Sequence, residues 1–205
     1  IDGCHKRGIR IILDGVFNHV GDDSIYFDSG NKYGGALHNP SSPYREWFNI
    51  SPDGGYECWW GVKNLPKVIK CDSFRSYICD TVIPKYMKMG IDGWRLDVVD
   101  EYPESFLERI TSASKSIDRN AYILGEVWED ASNKIAYGER KKYLCGNALD
   151  GVMNYPFRNA VCDFITTSDN EFITDITTTI AAHYPADRLN NSMNMLGTHD
   201  TERIL

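Results

Sequence analysis

Four short runs in this chain share one design, an apolar strand-like stretch that closes on a carboxylate or a histidine. Ile9-Arg10-Ile11-Ile12-Leu13-Asp14 leads into Gly15-Val16-Phe17-Asn18-His19, and Asp92-Gly93-Trp94-Arg95-Leu96-Asp97 ends on an aspartate. Tyr122-Ile123-Leu124-Gly125-Glu126 leads into Val127-Trp128, and Asn194-Met195-Leu196-Gly197-Thr198-His199-Asp200 has the same form. One acid at a strand end is ordinary; strands that all end in acids describe a site. In the second run the period of two places Arg95 and Asp97 on one face, with Trp94, Leu96 and Val98 on the other. A guanidinium beside a carboxylate keeps it ionised and oriented, as a nucleophile requires. Taken alone, the same run also reads as a buried structural Arg–Asp pair.

The patterns between these runs are helical. Phe74 to Met89 carries apolar residues at Tyr77, Ile78, Val82 and Tyr86, and Phe106 to Ile117 forms a second such stretch. Asp72-Ser73 are expected to cap the first, Pro103-Glu104 to stand in the first turn of the second, and Gly90 to close the first. Strands are expected over 9–14, 92–98, 121–127, 151–155 and 193–198. Their alternation with helices predicts an α/β fold, parallel strands with helices outside. The stretch from about Gly21 to Cys71 breaks the rhythm. It is rich in Gly, Pro, Asn, Ser, Tyr and Trp, and is far longer than the usual two to six residues of a βα loop. Most of its aromatics (Tyr26, Tyr33, Tyr44, Trp47, Tyr56, Trp59, Trp60) are expected to form its own core, with one or two facing a cleft.

Composition removes whole classes of function. The chain has 205 residues, 42% hydrophobic and 25% charged, enough for a sizeable core. A net charge of -7 argues against nucleic acid, which needs a basic surface. No apolar stretch approaches the ~20 residues that span a bilayer. Six cysteines without a CxxC pair, and no histidine at metal-ligand spacing, read as free thiols in a reducing compartment, the cytoplasm, with Cys79 a small core residue.

The order and spacing of the four motifs resemble the alpha-amylase family of glycoside hydrolases. Asp14-Gly15-Val16-Phe17-Asn18-His19 matches the first family motif, Gly93-Trp94-Arg95-Leu96-Asp97 the second, Gly125-Glu126-Val127-Trp128 the third and Thr198-His199-Asp200 the fourth. Leu65-Pro66-Lys67-Val68, Trp59-Trp60-Gly61-Val62, Asp150 to Phe157 and Gly197 to Thr201 resemble the neopullulanase, cyclomaltodextrinase and maltogenic amylase group. Where many of that group read Val-Ala-Asn-Glu after the nucleophile, this chain has Val98-Val99-Asp100-Glu101.

The resemblance implies part of a (β/α)8 TIM barrel, about strands three to seven. Residues 1–20 and 72–205 would form the catalytic barrel, and 21–71 a subdomain inserted after strand three. It implies Asp97 as nucleophile, Glu126 as general acid/base, and Asp200 as a third carboxylate that helps distort the sugar ring. His19, Arg95, His199 and Trp128 would contact substrate, and Asp14 would anchor Arg95. No cofactor is implied as required, though Asn18 resembles a calcium ligand in many amylases, with Asp22, Asp23, Ser24 and Asp28 as candidate partners. The implied partner is an α-glucan oligosaccharide, in a retaining hydrolase of α-1,4 or α-1,6 glucosidic bonds. An incomplete barrel is expected to self-associate through its open edges and to be inactive alone. The competing reading is a non-catalytic barrel relative that binds or assembles.

Overall fold

The computed structural model describes residues 1–204. Four parallel strands form its sheet, β1 (Ile12–Gly15), β2 (Gly93–Leu96), β3 (Tyr122–Gly125) and β6 (Gly151–Val152), in the order β1-β2-β3-β6. A separate antiparallel pair, β4 (Ile135–Ala136) and β5 (Glu139–Arg140), forms a hairpin after β3. Helices run between most of the parallel strands, as the alternation predicts. Asp14 lies opposite Arg95, Arg95 opposite Leu124, and Leu124 opposite Gly151.

That register separates the two faces. Trp94, Leu96, Ile123 and Val152 point to the side where the helices pack and join the main core. Leu124, Met153, Tyr155 and Met195 form a second, smaller cluster on the opposite face, with Ile12 and Tyr122 against it. Arg95 and Asp14 share that inner face. Gly93 is required by close approach: a Cβ there would lie 1.9 Å from the Tyr122 carbonyl oxygen, so no side chain fits where β2 meets β3.

The strands are shorter than expected, each for a local reason. Residue 9 turns back, its N–H bonding to the Cys4 carbonyl, before β1 starts at Ile12. β6 stops because Asn154 caps the next helix, α5 (Tyr155–Thr167), accepting from the Phe157 N–H at 3.2 Å, with Pro156 in its first turn. The strand expected over 193–198 is reduced to one parallel bridge, Met153 to Met193. Its partner has already become helix, so the ladder has nothing to pair with beyond Asn154.

The helix after the long insertion is α2 (Asp72–Tyr77), a π turn over Ile78–Val82, and α3 (Ile83–Lys88). Pro84 explains the wide turn. It has no N–H for the carbonyl four residues back and its ring would strike that carbonyl, which widening relieves. Asp72 and Ser73 do not cap α2. Cys71 occupies that position without a side-chain bond, Asp72 is a first-turn acid, and the Ser73 hydroxyl accepts from Trp47 Nε1 at 2.9 Å and bonds Glu46. Pro103 sits at the cap of α4 (Glu104–Lys115), with Glu104 in the first turn. Gly90 does close α3, with φ +95 and its N–H on the Met87 carbonyl.

Residues 16–71 hold two short 3-10 turns and a set of single bridges instead of regular strands. Aromatics hold the segment together: Tyr26 lies 5.2 Å from Tyr44 and 5.5 Å from Trp47, and Phe27 lies 4.7 Å from Tyr56. Trp47 meets Phe74 of α2 edge-on at 5.1 Å, so its packing is continuous with the helices. All six cysteines are free, and Cys79 is buried. No helix among the described residues is long and apolar enough to cross a membrane.

Candidate active site

The acids that end β1, β2 and β3 open at the C-terminal edge of the sheet, where parallel barrels place their sites. A cleft of about 790 Å³ lies there, within the range of small-molecule sites. Asp14, Asp97, Glu126 and Asp200 all line it, and so do His19, Trp128 and His199. Arg95, Asn18 and the candidate calcium partners Asp22, Asp23, Ser24 and Asp28 do not line it.

Arg95 is the hub. Its Nη1 donates to Asp14 Oδ1 at 2.8 Å and to Asp97 Oδ1 at 2.5 Å. Its Nη2 lies 3.1 Å from Glu126 Oε1 and 3.9 Å from Asp200 Oδ2. The Nη2 contacts are close in charge but not aligned for hydrogen bonding, and this buried nitrogen has no hydrogen-bond partner. Burial alone would lower the Arg95 pKa. The bond to Asp14 and the charges of Glu126, Asp14 and Asp97 outweigh it and push the value up, so the guanidinium is permanently charged.

Glu126 has the opposite character. Its side chain is 3% exposed, and burial raises its pKa. The Val98 N–H and Arg95 oppose that rise, while Asp97 and Asp200 add to it. The Val98 N–H donates to Glu126 Oε2 at 2.8 Å, and Trp128 Nε1 donates to Oε1 at 3.1 Å. Val98 does not pack opposite Arg95 as the strand pattern predicts. β2 ends at Leu96, and Val98 takes a left-handed conformation, φ 41 and ψ 54. A β-branched residue there is strained, and the strain turns its N–H onto the acid.

The histidines differ. His19 is half-buried, and burial together with Lys70 lowers its pKa against the pull of Asp97, which favours a neutral ring. It stacks near-parallel to Trp59 at 5.9 Å between centroids. His199 is largely exposed, with Nε2 3.2 Å from Asp200 Oδ2. A buried acid with a raised pKa and a second carboxyl group on one guanidinium, with further acids and histidines around one cleft, are the equipment of an acid-assisted nucleophilic displacement.

Comparison with known families agrees over the whole chain: the alpha-amylase model, described as the alpha amylase catalytic domain, matches residues 1–205. This chain belongs to the alpha-amylase family. Its four-stranded parallel sheet is therefore part of a (β/α)8 barrel. An amylopullulanase of Thermoanaerobacter thermohydrosulfuricus is 36% identical over 244 residues, covering 100% of this chain and 16% of that protein. A cyclomaltodextrinase of Thermoanaerobacter pseudethanolicus is 37% identical over 218 residues, covering 100% of this chain and 35% of that protein. Among solved structures, a cyclic alpha-maltosyl-(1→6)-maltose hydrolase from Arthrobacter globiformis, in complex with that sugar, superposes with a TM-score of 0.85 at 29% identity. That match covers 98% of this chain and 45% of the other. The chain thus spans about a third or less of the length of these curated relatives.

In this amylase-family chain most of the insertion's aromatics divide as expected, and Tyr33 is exposed away from the cleft. Trp59 and Trp60 face the cleft while Tyr26, Tyr44, Trp47 and Tyr56 pack internally. Trp60 is 84% exposed. Trp128 stacks flat on Tyr155, 3.8 Å between centroids at 13°, so its ring is fixed beside Glu126. The Asp28 carboxylate accepts the N–H groups of Lys32, Tyr33 and Gly35 and closes its own loop. Asn18 is fully buried, and its Oδ1 accepts from Lys70 Nζ at 2.5 Å.

Several site residues escape sequence reasoning. Tyr102 is fully buried, accepting from the Phe17 N–H at 2.9 Å and so tying the loop after β2 to the loop after β1. Lys70 carries no motif signal of its own, and the motif that holds Tyr155 does not tell its role, since the two depend on partners 52 and 27 positions away. Tyr137, at the tip of the β4–β5 hairpin, bonds Glu101 at the cleft wall.

Proposed function

We propose that this chain carries the reaction centre of a retaining α-glucan hydrolase. The observation that carries the reading is the single guanidinium of Arg95 in contact with both Asp97 and the more deeply buried Glu126, whose pKa burial raises. The family resemblance puts the pair in the double-displacement class of glycosidase, whose two carboxyl groups stand about 5–5.5 Å apart. Asp97 attacks the anomeric carbon. Glu126, protonated, gives its proton to the departing glycosidic oxygen. Now ionised, it takes a proton from the water that opens the glycosyl ester, restoring both groups. Asp200 and His199 bond sugar hydroxyls, His19 offers a neutral ring to another, and Trp128 lies along the leaving side. Asp14 has no reacting partner and orients Arg95.

The substrate class is α-1,4-linked glucose oligomers and polymers (malto-oligosaccharides, starch, pullulan, cyclodextrins), with α-1,6 bonds as the second class. The names of the relatives support that reading. Cleavage through Asp97 releases sugar in the α configuration. NMR of maltotriose or pullulan digestion by the full-length parent is expected to show the α anomer first. Initial β anomer would overturn the nucleophile assignment.

We further propose a cytoplasmic enzyme whose residues 21–71 act as a subdomain over the cleft, and an isolated chain that self-associates. β1 is one sheet edge, β6 with only the Met193 bridge beyond it is the other, and exposed apolar groups flank them: Ile9 at 53%, Val16 at 39%, Met193 at 45% and Leu196 at 49%. Unpaired backbone beside apolar surface drives association. Light scattering on the 205-residue chain is expected to give a dimer or larger, without maltotriose hydrolysis. An active monomer would refute this.

A further inference from the structure

Asn18 is where the amylase resemblance implies a calcium ligand, and the residues around it do not suit that ion. Calcium takes roughly six to eight oxygens at about 2.3–2.6 Å. Here the Asn18 side-chain oxygen faces a lysine nitrogen, and among the described residues no group of three or more His, Cys, Asp or Glu could hold a metal. Lys70 Nζ donates to Asn18 Oδ1 at 2.5 Å and to the Val68 carbonyl at 2.9 Å. It also lies 5.6 Å from the centre of the Tyr102 ring, at cation–π distance. Asn18 is gripped twice from the same segment, because its own carbonyl accepts the Val68 N–H at 2.8 Å.

We infer that Lys70 is a positioning residue that stands in for a metal, holding Asn18 and, through it, His19 at the cleft. It joins three pieces: the loop after β1 that carries Asn18 and His19, the 66–70 segment that pairs with it, and the loop after β2 that carries Tyr102. Tyr102 in turn fixes the Phe17 backbone, so Lys70 touches both supports of one loop. Burial pulls the Lys70 pKa down to about 7, while the charge of Glu101 opposes the fall and that of Lys67 adds to it. Both hydrogen bonds are donated by Nζ with or without a third proton, so the tether does not depend on the charge. A chelated ion needs ligands on every side, whereas one lysine reaches across from chain already in place. On this reading the site needs no metal to hold its shape.

The inference rests on the glycosidase reading only for its kinetic arm. The full-length parent, stripped with EDTA, would be titrated with calcium chloride by calorimetry, alongside Asn18→Ala. No binding, or binding that persists in Asn18→Ala and so lies elsewhere, supports the lysine tether. Binding lost in Asn18→Ala would overturn it. In the kinetic arm, Lys70→Met keeps the apolar length and removes both donors. It is expected to lower kcat on maltotriose ~tenfold or more, well below its melting temperature, with KM within ~threefold, since His19 loses its placement in the transition state. A merely structural lysine would lower the melting temperature and leave kcat alone, so a folded Lys70→Met within twofold of wild-type kcat sinks the idea. Should Lys70→Met not fold, the calcium titration of the wild type decides. A wild type that cleaves no α-glucosidic bond would refute the functional reading, with the calorimetry still judging the lysine.

Discussion

Asp97→Asn in the full-length parent is expected to lower turnover of maltotriose by ~four orders of magnitude, with the fold intact. The amide is nearly the same size and can still accept from Arg95 Nη1, which now lies 2.5 Å from Asp97 Oδ1. What it cannot do is form the glycosyl ester. Glu126→Gln should fail differently. It removes the proton donor, so substrates with poor leaving groups stall, whereas a maltosyl fluoride, whose departing fluoride needs little protonation, still forms the ester. The pH profile separates the two further. Burial raises the Glu126 pKa, so the acid form persists toward neutral pH and is lost as pH rises through that raised value. Wild-type kcat/KM should therefore fall on the alkaline side, and Glu126→Gln should lack that limb with maltosyl fluoride. Asp97→Asn turnover within tenfold of wild type, or an alkaline limb that survives in Glu126→Gln, would remove these roles.

The parts of this site legible in the sequence are those set by local periodicity. Arg95 and Asp97 share a face because residues two apart in a strand must. Asp14 meets Arg95 because β1 and β2 pair in register at those two positions. The acids cluster because parallel strands all present their C-terminal ends to one side. The reading fails where the outcome depends on what happens just past a strand. Val98 was expected to continue the alternation, but the chain turns left-handed there and its N–H becomes a ligand of Glu126. The strand over 193–198 had the right composition and lost its partner to a helix cap at Asn154. Lys70 and Tyr102 were invisible for another reason. Nothing in a run such as Val68-Ile69-Lys70-Cys71 says that its lysine turns inward to an asparagine 52 residues earlier.

Arg95→Met should be the most damaging single change to the folded site, and its pH dependence has a definite sign. The wild-type side chain is 9% exposed and compensates Asp97, at 16%, and Glu126, at 3%. Methionine fills the volume but supplies no charge, which leaves a cluster of carboxylates partly buried with no cation on that face. Removing one partner of a buried ion pair typically destabilises by ~3–5 kcal/mol, because the remaining charges are desolvated and unpaired. Arg95→Lys should not rescue it. A single ammonium cannot place separate donors toward Asp14 and Asp97 on one side and Glu126 on the other. In the methionine variant Glu126, whose pKa burial already raises, loses the Arg95 charge that opposes the rise. Its protonation stabilises the fold at low pH, and that contribution is lost as pH rises through the raised value. The stability gap between wild type and Arg95→Met should thus be larger at pH 8 than at pH 5. Urea denaturation of both proteins at the two pH values measures it. A gap that widens toward pH 5, or one below ~0.5 kcal/mol at pH 8, would show that Arg95 does not hold these acids together.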